Sequence, residues 1–123
     1  MKNRVIVGVL CLVLAILTAF YGYRRVGSAA RALTDAASQA LQSPDAAFEA
    51  SAAAALRLWE ENRAVFFAFV WRDAAEELDL RFETARAALS RGERALAKTA
   101  LAEAGALLSV LARAEKPGIE NIL

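Results

Sequence analysis

The chain has no histidine, one cysteine (Cys11) and two prolines in 123 residues. Without histidine, every mechanism that uses imidazole as acid, base or metal ligand is excluded. A single thiol rules out an intramolecular disulfide framework. Charge of one sign is not in excess either, with 15 basic and 14 acidic residues and a net charge of +1. No segment alternates polar and apolar residues with period two, so no strand is expected. No glycine-rich phosphate loop occurs. Scattered hydroxyls (Ser28, Ser38, Ser51, Ser90, Ser109 among them) have no Lys or Asp setting that would activate one. These absences argue against an enzyme, and no cofactor, metal or small-molecule substrate is implied.

Apolar residues make up 58% of the chain, and they are unevenly placed. Val5 to Tyr23 is an uncharged run of 19 residues in which only Gly8, Thr18 and Gly22 are not apolar. As a helix it would span ~28 Å, close to the ~30 Å hydrocarbon core of a bilayer. Lys2 and Arg4 flank it on one side, Arg24 and Arg25 on the other, and Phe20, Tyr21 and Tyr23 gather at the second boundary, where amphipathic rings suit headgroups. The near-neutral total is thus a basic segment, 1–26, joined to a mildly acidic remainder of 11 basic and 14 acidic residues. No basic patch for nucleic acid survives that division. The expected organisation is a transmembrane anchor over 1–26, a helical domain over 27–115 and a tail over 116–123. A cleaved signal peptide is the competing reading of the first segment, but the apolar core is long and the first small-x-small site, Ser28 to Ala30, lies beyond Arg24 and Arg25. The positive-inside count does not fix orientation; the short basic start favours an extracytoplasmic domain.

Within the run, Gly8, Cys11, Ala15, Thr18 and Gly22 are spaced 3, 4, 3, 4 and fall on one helical seam. Small residues let helix backbones approach closely in lipid, so this seam is a candidate contact with a second copy or a membrane-protein partner.

The remainder reads as helices at 28–42, 44–71, 73–91 and 93–115, the first continuous with the anchor. Alanine, the best helix former, supplies 28 of residues 27–123. Ser43 is expected to cap a helix whose first residue is Pro44, and Asp73 to cap the next, with Gly92 and Pro117-Gly118 as stops. Apolar stripes at helical spacing mark packing faces: Leu78, Phe82, Ala85 and Leu89; Ala97, Leu101, Ala104, Leu108 and Leu111; and Phe48, Ala52, Ala55, Trp59, Asn62, Phe66 and Phe69. An echo between Pro44–Phe48 and Gly92–Leu96 suggests two similar hairpins. The expected fold class is therefore all-α: an N-terminal transmembrane helix followed by a small antiparallel bundle of two helical hairpins, tetratricopeptide-like.

Ala64 to Trp71 is eight apolar residues in succession, between Arg63 and Arg72. Such a run is apolar around the whole helix. It is read either as a helix buried on most sides or as a partner patch formed by Trp59, Phe66, Phe67, Phe69 and Trp71. The stripe Arg72, Glu76, Asp79, Glu83, Arg86 could hold a divalent cation weakly, but local pairs Arg72–Glu76 and Glu83–Arg86 on a solvated face are the expectation. In the apolar tail, Ile119, Ile122 and Leu123 are candidate contacts for a groove.

Trp59-Glu60, Phe66 to Val70, Glu77-Leu78-Asp79, Ala85-Arg86 with Leu89, and the terminal Glu120-Asn121-Ile122-Leu123 give the chain a resemblance to an uncharacterised bacterial family. It is the one catalogued as domain of unknown function 4363, typical of Gram-positive organisms. The resemblance covers nearly the whole chain on diffuse helical-face patterns. It implies a small single-pass membrane protein without assigned activity, and a membrane-protein partner. Members often carry a histidine after the aromatic stretch, and this chain has none, so no role for that residue transfers. The expected function is a non-enzymatic interaction or structural module at the cell membrane. Alternatives are an envelope sensor relaying a ligand-dependent shift through a continuous 5–42 helix, and a secreted helical protein after signal cleavage.

Overall fold

The computed structural model describes residues 2–114. The candidate tail contacts Ile119, Ile122 and Leu123 lie outside the described residues. Four helices follow one another: α1 (Lys2–Gln42), α2 (Asp45–Phe69), α3 (Arg72–Ser90) and α4 (Arg94–Ala114). Among the described residues there is no strand.

Helix α1 is 41 residues long and unbroken, so its length is about 60 Å. Its two halves live in different surroundings. From residue 2 to Tyr21 every side chain is exposed, including Val5, Ile6, Leu10, Leu14, Leu17 and Phe20. From Gly22 onward one face is buried: Gly22, Val26, Ala29, Ala30, Leu33, Ala37 and Ala40. Helical spacing of small residues followed by Leu33 gives a narrow apolar stripe, against which neighbouring helices can pack closely. The helix passes residues 26 and 27 without interruption, and the packed face begins inside the last turn of the uncharged run.

Helices α1 and α2 pack on each other, as do α2 and α3, α3 and α4, and α4 and α1. The four close into a ring of neighbours, which makes an antiparallel bundle of two hairpins. The sequence echo does not extend to burial at its last position: Phe48 is fully buried, whereas its matched Leu96 is 41% exposed. Ala97, one residue on, takes the inward position instead.

The turns follow chain chemistry with two corrections. Ser43 does not cap α2. Its hydroxyl donates back to the Gln39 carbonyl at 2.6 Å and lies 3.0 Å from Ser51 Oγ, while Pro44 occupies the cap position with no side-chain cap bond. Asp73 does not cap α3 either; Trp71 holds that position, and Asp73 sits in the first turn, where its charge complements the helix dipole. Gly92 is a stop as expected: its φ of 72° is the left-handed conformation that closes α3, with Glu93 N–H donating to the Ala88 carbonyl at 2.8 Å.

The core combines a group of packed aromatic rings with leucines and many alanines in one cluster. Trp59 stacks on Phe82 with centroids 4.8 Å apart and meets Phe66 at 5.3 Å in a tilted arrangement. Leu33, Phe48, Leu78, Leu101 and Leu108 are fully buried around them, and Ala52, Ala55, Ala85, Ala88 and Ala104 fill the closer approaches. Asn62 is the polar member of this core, and its amide donates to the Leu58 carbonyl at 2.9 Å.

Candidate functional site

The expected aromatic patch is divided by the fold. Trp59 and Phe66 are fully buried and Phe67 is half-buried, so these three do not form a surface. Phe67 lies under Arg63, whose guanidinium carbon is 4.7 Å from the ring centroid. Phe69 is 40% exposed and Trp71 is 83% exposed. Both outward rings flank buried Val70, whose N–H closes α2 on the Phe66 carbonyl at 2.9 Å. A two-residue turn thus pins Val70 inward, leaves Trp71 exposed and keeps the Phe69 ring only partly covered. The eight-residue run had two readings because helical periodicity inside it is invisible; the helix ending at Phe69 decides which ring goes where.

The small-residue seam is divided as well. Gly8, Cys11, Ala15 and Thr18 are exposed, and nothing would lie within 4 Å of a Cβ placed on Gly8. Gly22 differs. It is buried against the ring of Phe69, so closely that a Cβ there would collide with the ring edge. Gly22 is therefore occupied by its own chain, and the exposed seam is the four residues from Gly8 to Thr18. The same contact fixes a level along α1: the α2–α3 turn stands beside Gly22, at the end of the apolar run.

On the opposite edge of the α2–α3 pair, charges take partners across the seam. Asp79 accepts from Arg63 Nε at 2.9 Å and Nη2 at 3.0 Å in a bidentate fork, and from Trp59 Nε1 at 3.1 Å. The hydrogen bond from Arg63 is the leading reason the Asp79 carboxyl is held below the usual carboxylate range; partial burial opposes it, and the Trp59 bond and the charges of Arg63 and Arg86 add to it. Arg86 bridges Glu83 on its own helix and Glu60 on α2, both at 2.8 Å. Arg72 pairs with Glu76 at 2.9 Å. The expected local pairs Arg72–Glu76 and Glu83–Arg86 are thus present, and each acidic member of the stripe is engaged by a cation. Among the described residues no group of three or more His, Cys, Asp or Glu side chains is placed to hold a metal ion.

Further pairs tie the far end and the α3–α4 seam: Asp45 with Arg94 at 3.7 Å and Lys98 at 3.5 Å, and Arg81 with Glu103 at 2.7 Å. Periodicity carried no sign of these cross-helix pairs or of Gly22 against Phe69, because they join residues whose proximity depends on the packing of whole helices. The one hint was Asp79 standing next to Leu78, a core position beside which a charge needs a partner.

Helices α1 and α4 are each long and apolar enough to cross a membrane. They differ in setting. The inward residues Ala97, Leu101, Ala104 and Leu108 of α4 belong to the bundle core, whereas the apolar window of α1 is almost wholly outside it. No family model, curated protein or solved structure matches the chain.

Proposed function

We propose that the chain is a non-enzymatic, single-pass protein of the cell membrane whose helical bundle serves as an interaction or structural module for a membrane-protein partner. One observation carries this reading: α1 presents about twenty consecutive outward-facing, mostly apolar residues and then continues without a break into the bundle. Aqueous solvent disfavours that much uncovered apolar surface, on the order of 25 cal/mol for each Å², and a bilayer removes the cost. The exposed seam Gly8, Cys11, Ala15 and Thr18 is the surface such a partner, or a second copy, would meet in lipid. The short basic start supports a bundle outside the cytoplasm. The resemblance to the domain of unknown function 4363 family belongs to the same proposal and adds an architecture, not an activity.

The test is alkaline extraction of membranes expressing the full chain, followed by intact-mass measurement and pull-down in mild detergent. Retention at full mass with a co-purifying membrane protein supports the proposal, and loss of that protein in the Gly8→Ile, Ala15→Ile double variant assigns the seam. A mass short by roughly the first 30 residues replaces it with the secreted reading. The unbroken α1 favours one second reading, the envelope sensor, which a thermal-shift screen tests because a bound ligand raises stability.

A further inference from the structure

The outward turn between α2 and α3 has no role in a bundle that merely hangs from an anchor. Trp71 is 83% exposed and Phe69 40% exposed, in a molecule that buries its other tryptophan completely. An uncovered Trp in a two-residue turn gives the fold nothing that a polar residue would not. Its position is informative. Phe69 is in contact with Gly22, so the turn is level with the last residues of the uncharged run Val5–Tyr23. If that run fills the hydrocarbon core, Gly22 sits at its edge, and a side chain beside Gly22 lies in the headgroup zone, which adds only about 5–7 Å on each face.

The surrounding chemistry matches that zone. Phe20 and Tyr21 are exposed at the same level, and Arg24 lies over the Phe20 ring at 5.7 Å. Leu17, Phe20, Tyr21, Arg24 and Arg25 form an exposed patch on α1 at this level, apolar side chains beside two cations. Exposed Arg72 follows Trp71 directly. Asp73 and Glu76 come next along α3, on the side leading away from Gly22, and Glu76 is paired with Arg72 at 2.9 Å. Aromatic rings outermost, cations next and carboxylates behind them is the order in which side chains partition at a bilayer surface.

We infer that the Phe69–Arg72 turn is a second membrane contact, with the Trp71 indole lodged among lipid headgroups beside the emerging α1. This rests on the proposal that α1 spans the bilayer. With one contact, α1 and the bundle tilt together as one body in the bilayer; with two, separated by the width of the α1–α2 pair, the bundle is seated on the surface in a fixed attitude. The occupant is the lipid interface itself, because Phe69 meets α1 at Gly22, level with the end of its apolar run.

Tryptophan fluorescence of the full chain, reconstituted in phosphatidylcholine–phosphatidylglycerol vesicles with and without bromine on the acyl chains, tests this directly. Buried Trp59 is the internal reference. The expected result is partial quenching by brominated lipid, with the quenchable component lost in Trp71→Ala while Trp59 emission persists. Quenching that is equal in wild type and Trp71→Ala, or absent from both, overturns the inference. Flotation of the same vesicles separates the two levels: a chain that floats but shows no Trp71 quenching refutes the turn contact alone, and a chain that does not float refutes the membrane-spanning reading with it. Trp71 makes no core contact to lose, and a circular dichroism spectrum of Trp71→Ala matching wild type verifies that its helices are intact.

Discussion

Trp59 and Asp79 are joined across the α2–α3 seam by a 3.1 Å hydrogen bond from the indole Nε1 to the carboxylate Oδ1, the same oxygen that Arg63 Nε reaches at 2.9 Å. The largest side chain of the core thereby keeps its one polar atom satisfied while its rings stack on Phe82. Trp59→Phe retains an aromatic ring and removes the donor. It is expected to lower stability by about 1–2 kcal/mol, and Trp59→Ala by about 3–5 kcal/mol through the cavity it leaves. Urea unfolding of the full chain in detergent, followed by circular dichroism, gives both values; equal stability of wild type and Trp59→Phe would show that the hydrogen bond contributes nothing.

Asp79 also sets a pH dependence. Its carboxyl is held low in the folded chain, chiefly by the hydrogen bond from Arg63. A depressed folded value means the stabilisation is fully present above the unfolded carboxylate pKa of ~3.9 and disappears as pH falls through the folded value. The stability difference between wild type and Asp79→Asn is therefore expected to be constant near neutrality and to shrink below about pH 4. Melting temperatures from pH 7 to 2 measure it, and a difference that grows on acidification contradicts the assignment.

The two glycines of the seam are expected to part company. Gly22→Val drives a side chain into the Phe69 ring and should cost about 1–3 kcal/mol, less what the half-exposed ring recovers by turning away. Gly8→Val meets open space and should leave bundle stability within about 0.5 kcal/mol. The same unfolding assay compares them, and equal effects would mean that the Gly22–Phe69 contact does not constrain the fold.

Gly92→Ala tests the α3–α4 turn. At a φ of 72° an added Cβ crowds the backbone, and no neighbouring atom would obstruct it otherwise. The expected loss is about 1–2 kcal/mol, all of it conformational. Gly105→Ala, at a helical position with open space around it, should be neutral or stabilising by up to about 1 kcal/mol.

Helix number and the packing faces were readable from apolar spacing, since a stripe at 3.6-residue period tells which side must be covered. Leu78, Phe82 and Ala85 are buried as their spacing requires. The continuity of α1 was readable too, because nothing near Arg24–Val26 breaks a helix. What spacing cannot carry is the meeting of separate stripes. Spacing puts Phe69 on the inward stripe of α2, and the helix ends there, so its ring lies against Gly22 and stays 40% exposed. Ser43 looked like a cap from its position before Pro44, but its hydroxyl found the Gln39 carbonyl first. Asp79 belonged by spacing to a solvated charge face, and only the placement of α2 beside α3 makes it the shared acceptor of Arg63 and Trp59.

The unbroken course of α1 makes it a lever with its fulcrum near Gly22. A helix of about 60 Å that tilts by some 10°, well within the range seen for spans in lipid, sweeps one end past the other by roughly 10 Å. The helix carries no proline to kink it between the apolar run and the bundle. For a chain anchored as proposed, the thickness of the bilayer would be transcribed into the angle of the bundle, and Trp71 would be the first residue to lift off.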